Sequence, residues 1–147
     1  MNKKVFLGGT CNGSMWREKI KPLLKIDYYD PVCCGEWTDE AYRRELYERE
    51  TADFVMYVIT PKMTGFYSIA EVADDSNKRP EKTIFCYLTV DEDCEFEKAQ
   101  LKSLSATAKL VKNNGGRVFD DLTEIAQFLN TFVDQSVLDE EEEIHFM

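Results

Sequence analysis

Phe54-Val55-Met56-Tyr57-Val58-Ile59 runs into Thr60-Pro61-Lys62-Met63-Thr64-Gly65-Phe66-Tyr67-Ser68-Ile69-Ala70-Glu71. An unbroken apolar run is followed by turn-forming residues and then by a helical pattern. Six consecutive apolar residues with no polar alternation fit a strand covered on both faces, as in a parallel sheet with helices above and below. Working outward, Val5 to Leu7 reads as a first strand, Met15 to Leu24 as a first helix, Ile26 to Tyr29 as a second strand and Asp39 to Glu50 as a second helix. Beyond the central run, Ile69 to Lys78 is a helix stopped before Pro80, and Thr83 to Leu88 is a fourth strand. A long helix follows, with Phe96, Leu104 and Val111 on one face and Asn114-Gly115-Gly116 as its stop. Val118-Phe119 is a short fifth strand, and Asp121-x-x-Glu124 is a capping box opening a helix through Phe132. Short strands alternating with helices require right-handed crossovers and a mostly parallel sheet. The expected fold is therefore a doubly wound α/β domain, a three-layer sandwich with a five-stranded sheet in the flavodoxin-like order 2-1-3-4-5.

That order sets the first and third strands side by side where the winding reverses. The loops after Leu7 and Ile59 then open over one crevice, the usual ligand position of such sheets. Glu71 lies on the helix that leaves this edge. Two readings of it stand together: a carboxylate at a reaction centre, or the closing member of a capping box Ser68-x-x-Glu71. Gly8-Gly9-Thr10-Cys11-Asn12-Gly13-Ser14 occupies the same edge after the first strand. It lacks both G-x-G-x-x-G spacing and the lysine of a Walker loop, so it is either a tight strand-to-helix turn or a loop whose backbone approaches a ligand closely. Ser14 can cap the helix that follows, and Arg17 with the N–H groups from Asn12 to Ser14 can receive a phosphate or sugar hydroxyls.

Composition narrows the function classes. The chain has 147 residues, one domain's worth, with a formal charge of -10 and a pI near 4.6. Such a field repels nucleic-acid polymers and anionic lipid, so neither is an expected partner, whereas a small nucleoside or nucleotide remains compatible. Five cysteines without C-x-x-C spacing and a single histidine, His145, indicate neither a disulfide scaffold nor a zinc site, and neither metal nor cofactor is expected. The apolar stretch at Val5 is too short for a signal peptide, so a cytoplasmic location is expected. The domain is read as residues 1–135, with 136–147 as an acidic tail around Asp139-Glu140-Glu141-Glu142-Glu143.

Three segments together resemble the nucleoside 2-deoxyribosyltransferase family, in its shorter, divergent branch. They are Val5 through Arg17, the Asp30-Pro31 turn, and Ala52-Asp53 through Gly65 to Glu71-Val72-Ala73. The resemblance implies N-glycosyl transfer or hydrolysis on a 2′-deoxynucleoside or its 5′-monophosphate, with Glu71 as nucleophile and Glu45 helping to place the sugar. It also implies contacts to substrate from Gly8, Gly9, Thr10, Asn12, Ser14, Arg17, Asp30, Gly65 and Tyr67, with Tyr57 as a further residue able to orient the sugar or simply to pack. A homo-oligomer is expected as well, because the family closes its sites with a neighbouring subunit and because aromatic residues are dense between Trp37 and Tyr47. One departure stands out. Standard members carry an aspartate six residues before the nucleophile for proton transfer at the base, and this chain has Gly65 there, leaving Asp30 or bound water for that role. A catalytically silent nucleotide-binding domain is the alternative.

Overall fold

The structure is a computed structural model and describes residues 2–11, 13–31 and 38–133. Asn12, Cys33, Cys34, Trp37, the acidic tail and His145 lie outside the described residues.

The central strand is β3 (Phe54–Ile59), and all of its residues are buried. It pairs in parallel with β1 (Lys4–Gly9) on one side and with β4 (Thr83–Tyr87) on the other. Adding β2 (Asp27–Tyr29) and β7 (Arg117–Val118) gives the sheet order β2-β1-β3-β4-β7, all parallel. This is the expected 2-1-3-4-5 winding. Alternation along β3 divides the core in two. Phe54, Met56 and Val58 pack with Trp16, Ile20, Ile125 and Leu129, from α1 (Trp16–Ile20) and α5 (Leu122–Asn130). Val55, Tyr57 and Ile59 pack with Val72, Leu104 and Val111, from α3 (Tyr67–Lys78) and α4 (Lys98–Asn113).

Several boundaries differ from the expected ones for identifiable reasons. The first helix ends at Ile20 and continues as a 3-10 turn over Lys21–Leu23, because Pro22 has no N–H to extend an α-helix. The helix cap expected at Ser14 is absent, since Met15 precedes α1 without a side-chain cap and the Ser14 hydroxyl donates to Asp91 Oδ2 at 2.6 Å. Asp91 belongs to a hairpin the sequence did not signal, β5 (Val90–Asp91) with β6 (Cys94–Glu95). Its turn uses a positive φ of 56° at Glu92, where glycine or asparagine would have announced the turn. Asp121 does cap α5 by accepting from the Glu124 N–H at 2.8 Å. The Glu124 carboxylate reaches the N–H of Asp120 rather than that of Asp121, so the box is not reciprocal.

The helix α2 (Asp39–Thr51) has no apolar face. Its buried residues are Glu48 and Arg49. Thr38 caps it by accepting from the Ala41 N–H at 3.1 Å, and ion pairs join it to the domain: Glu48 to Lys4 at 2.7 Å and Arg49 to Asp75 at 2.9 Å. A helix polar all round holds its place through such pairs rather than through apolar burial.

Gly9 shows how tightly β1 and β3 approach. Its φ is +122°, and a Cβ there would stand 2.1 Å from the carbonyl oxygen of Val58. Gly9→Ala is expected to destabilise the fold by on the order of 3 kcal/mol or more, because the backbone conformation and the overlap penalise it together. The urea unfolding midpoint measures this.

Candidate functional site

Register alone brings the two loops together. Gly8 faces Tyr57 and Gly9 faces Val58 across the β1–β3 ladder, so both strands end side by side. The Thr10 N–H donates to Val58 O at 2.9 Å, and the Thr60 N–H donates to Thr10 Oγ1 at 2.9 Å. The Thr10 carbonyl accepts from Trp16 Nε1 at 2.8 Å and from Arg17 Nη1 at 2.6 Å. Thr10 is thus the residue on which the loop is fixed. A Cβ at Gly8 would overlap the Tyr57 ring at 2.6 Å, so both glycines are accounted for by contact with β3 without any ligand.

Arg17 is turned inward. Its Nε donates to Leu7 O at 3.0 Å and its Nη2 to Gly9 O at 3.3 Å, in addition to the Thr10 bond, and its guanidinium stacks over the Trp16 ring. Burial lowers its pKa, offset in part by Cys11, Asp30 and Glu45. The three nitrogens are committed to backbone carbonyls, so Arg17 braces the loop, while the N–H groups expected beside it include that of Asn12, outside the described residues. Asp30 pairs with Lys21 at 2.7 Å and lies 3.6 Å from Arg17.

Glu71 is 8% exposed and lies five residues into α3, because the helix starts at Tyr67 rather than at Ile69. Phe66 precedes α3 and makes no side-chain cap, so the Ser68-x-x-Glu71 box does not form. Position also removes most of the help from the helix dipole, which fades beyond the first turn. Desolvation wins: burial pushes the Glu71 carboxyl up to about 7, opposed by Arg49 and reinforced by Glu45 and Asp75. Glu45, half-buried on α2, also faces Arg49. Its pKa is also raised by burial, with Arg49 and Arg17 pulling the other way.

Arg49 and Asp75 complete the cluster and were not singled out from the sequence. Arg49 Nε lies 3.8 Å from Glu71 Oε2. Its hydrogen bonds go to Asp75 (Nε to Oδ2 at 2.9 Å, Nη2 to Oδ1 at 3.0 Å) and to Asp74 at 3.0 Å. Asp75 is fully buried and also accepts from the Tyr57 hydroxyl and pairs with Arg79 at 3.2 Å. Tyr57 is therefore a packing and bracing residue, its hydroxyl held at Asp75. A signal was available, since Arg49 follows Glu45 and Asp75 follows Glu71 by four residues, which places each pair on one helix face. Tyr67 is 62% exposed at the start of α3, and its pKa is raised first by Tyr42, to which it hydrogen-bonds, and then by burial and by Glu71. Gly65 is exposed with open space around it. Ser14 is tied to the hairpin, and Asn12 lies outside the described residues. Among the described residues no group of three or more His, Cys, Asp or Glu is arranged to hold a metal ion.

Two grooves lie away from this cluster. One of about 590 Å³ runs between α3 and α4 along Ile69, Ala73 and Leu104. The other, about 530 Å³, lies beside Tyr87, Lys109 and Phe119. Neither is lined by Glu71 or Glu45.

No curated protein matches the chain. A solved structure described as a conserved protein from Enterococcus faecalis V583 superimposes with a TM-score of 0.54 at 16% identity, covering 89% of this chain and 99% of that one, a likeness of fold alone. The family model described as nucleoside 2-deoxyribosyltransferase like matches residues 2–89, a span that holds β1, the glycine loop, Glu45, Arg49, Glu71 and Asp75. That span is more than half of the 147 residues, and the chain belongs to the nucleoside 2-deoxyribosyltransferase-like family.

Proposed function

We propose that the chain catalyses N-glycosyl transfer or hydrolysis on a 2′-deoxynucleoside or its 5′-monophosphate through a covalent glycosyl-glutamate. A Glu71 oxygen attacks C1′ as the bond from C1′ to the base nitrogen breaks, and the bonding electrons leave with the base, which takes a proton from water. An acceptor base or water then attacks C1′ and releases Glu71. Glu45 orients the sugar and balances charge. Gly8, Gly9, Thr10 and Ser14 shape the loop side of the crevice, Asp30 and Arg17 brace it, and Tyr67 stands at its mouth. The observation that carries the reading is a buried carboxylate at about 7, faced by a second carboxylate, beside the winding reversal of the sheet.

Incubation with a panel of 2′-deoxynucleosides and monophosphates, each with and without a second free base, separates transfer, hydrolysis and silence by product analysis. Only ionised Glu71 attacks, so kcat/KM is expected to rise about tenfold per pH unit on the acid side and to level off above about 7. A profile flat from pH 5 to 8 contradicts the assignment. The second reading, a silent nucleotide-binding domain, draws on Gly65, which offers no side chain for the leaving base. Tight nucleoside binding without products supports it.

A homo-oligomer is part of the proposal. Tyr42, Leu46 and Tyr47 of α2 and Phe66 and Tyr67 at the start of α3 are all exposed beside the carboxylates, a surface suited to a second copy. Sedimentation is expected to give a dimer or larger species; a monomer at tens of micromolar contradicts it.

A further inference from the structure

Glu71 is surrounded by charge of its own sign. Glu45 reaches it from α2 and Asp75 from the next turn of α3, while Tyr57 approaches from β3 and is turned to Asp75. Among the described residues acting on it, Arg49 is the one cation. A mobile arginine so placed would close a two-bond fork on Glu71 and occupy its oxygens. Here the fork is closed on Asp75 instead, through Nε and Nη2, and Nη2 is shared with Asp74. Asp75 is itself immobilised, fully buried and gripped by Tyr57 and Arg79. Arg49 is left 3.8 Å from Glu71, and no described residue donates a hydrogen bond to the Glu71 carboxylate.

We propose that Arg49, clamped by Asp75 and Asp74, is the positioning residue of this site: it lends Glu71 a positive neighbour while its own hydrogen bonds go elsewhere, so that it does not occupy the Glu71 oxygens. The inference rests on the reading of Glu71 as nucleophile for its catalytic meaning, but its electrostatic content stands on geometry. Asp75 serves as the decoy carboxylate that keeps the arginine from quenching the nucleophile.

The test is a carboxyl-carbon NMR titration of Glu71 in the wild type, Arg49→Gln and Arg49→Lys, alongside the pH dependence of kcat/KM. In Arg49→Gln the Glu71 midpoint is expected to rise by a pH unit or more, so that the ionised fraction at pH 7 falls about fivefold. Activity should fall by a similar factor at pH 7 and recover near pH 9, which a purely structural defect would not do. Arg49→Lys keeps the charge but not the two-bond fork to Asp75, so its Glu71 midpoint should not rise above that of the wild type. If Arg49→Gln does not fold, replacement of Arg49 by citrulline, which keeps shape and N–H donors but not charge, carries the same expectation. A rise of less than one unit in a folded neutral variant, or a lysine variant that titrates like the glutamine one, overturns the proposal. Should the titrations behave as expected while the wild type turns over no nucleoside, the reaction assigned to the site fails and the positioning of Glu71 by Arg49 stands.

Discussion

Glu71→Gln is expected to lower kcat by a factor of about 10⁴ or more while making the folded protein more stable above pH 7. The kinetic half follows from removing the attacking atom: an amide of the same shape cannot form the glycosyl ester, and loss of a nucleophile costs more than loss of any orienting group. The stability half follows from linkage. The Glu71 carboxyl is raised from 4.5 to about 7 in the folded state, so between those values the folded protein holds a proton that the unfolded chain has released. Stability therefore falls as pH rises through this window, and the full penalty, on the order of 3 kcal/mol, is present above it. Glutamine is never charged and escapes the penalty. A capping carboxylate would behave oppositely, its loss costing up to about 1 kcal/mol. Urea unfolding at pH 5 and pH 8 distinguishes the two: the variant should gain stability over the wild type at pH 8 and little at pH 5. Equal or lower stability at both pH values, with turnover retained, contradicts the assignment.

Gly65→Asp is expected to raise kcat for nucleoside cleavage at least tenfold, toward the 10²- to 10⁴-fold range of general acid catalysis. In the family this chain resembles, an aspartate at this distance before the nucleophile assists proton transfer at the base. Gly65 here supplies no group, and Asp30, the nearest substitute suggested by the sequence, is engaged by Lys21 and Arg17. A Cβ at Gly65 meets nothing within 4 Å and the position needs no positive φ, so aspartate can be added without strain. The gain should be largest for bases that leave poorly as anions, since these depend most on protonation. An unchanged kcat across good and poor leaving groups would show that base protonation does not limit this protein.

The architecture was legible because the central strand is apolar at every position and the helices between strands have clear stops. β3 was read at its observed bounds, and the sheet order follows from alternation and handedness. What escaped was held by tertiary contact instead of by local pattern. The β5–β6 hairpin has two-residue strands and a turn built on Glu92 at positive φ, and periodicity carries no trace of it. Arg17 read as able to receive an anion, and its side chain is instead turned onto the carbonyls of Leu7, Gly9 and Thr10, close in sequence but reached only because the loop folds back over β1. The glycines were open to two readings, a tight turn or a close approach to a ligand, and the ring of Tyr57 and backbone of Val58 already require them. Arg49 and Asp75 were passed over although each stands four residues after a singled-out glutamate. A charged residue on a polar helix such as α2 is normally solvated, and the ion pair to Asp75 of α3 is what buries Arg49.

The most direct test of the account is to trap the intermediate. A 2′-fluoro-substituted 2′-deoxynucleoside slows both steps by destabilising positive charge at C1′, and a good leaving base lets the glycosyl-enzyme form faster than it breaks down. After denaturation and proteolysis, peptide mass spectrometry is predicted to find one sugar on the segment containing Glu71 and none in Glu71→Gln. A sugar on Glu45 instead, or no adduct in a preparation that visibly cleaves the unsubstituted nucleoside, would contradict the claim that Glu71 is the nucleophile.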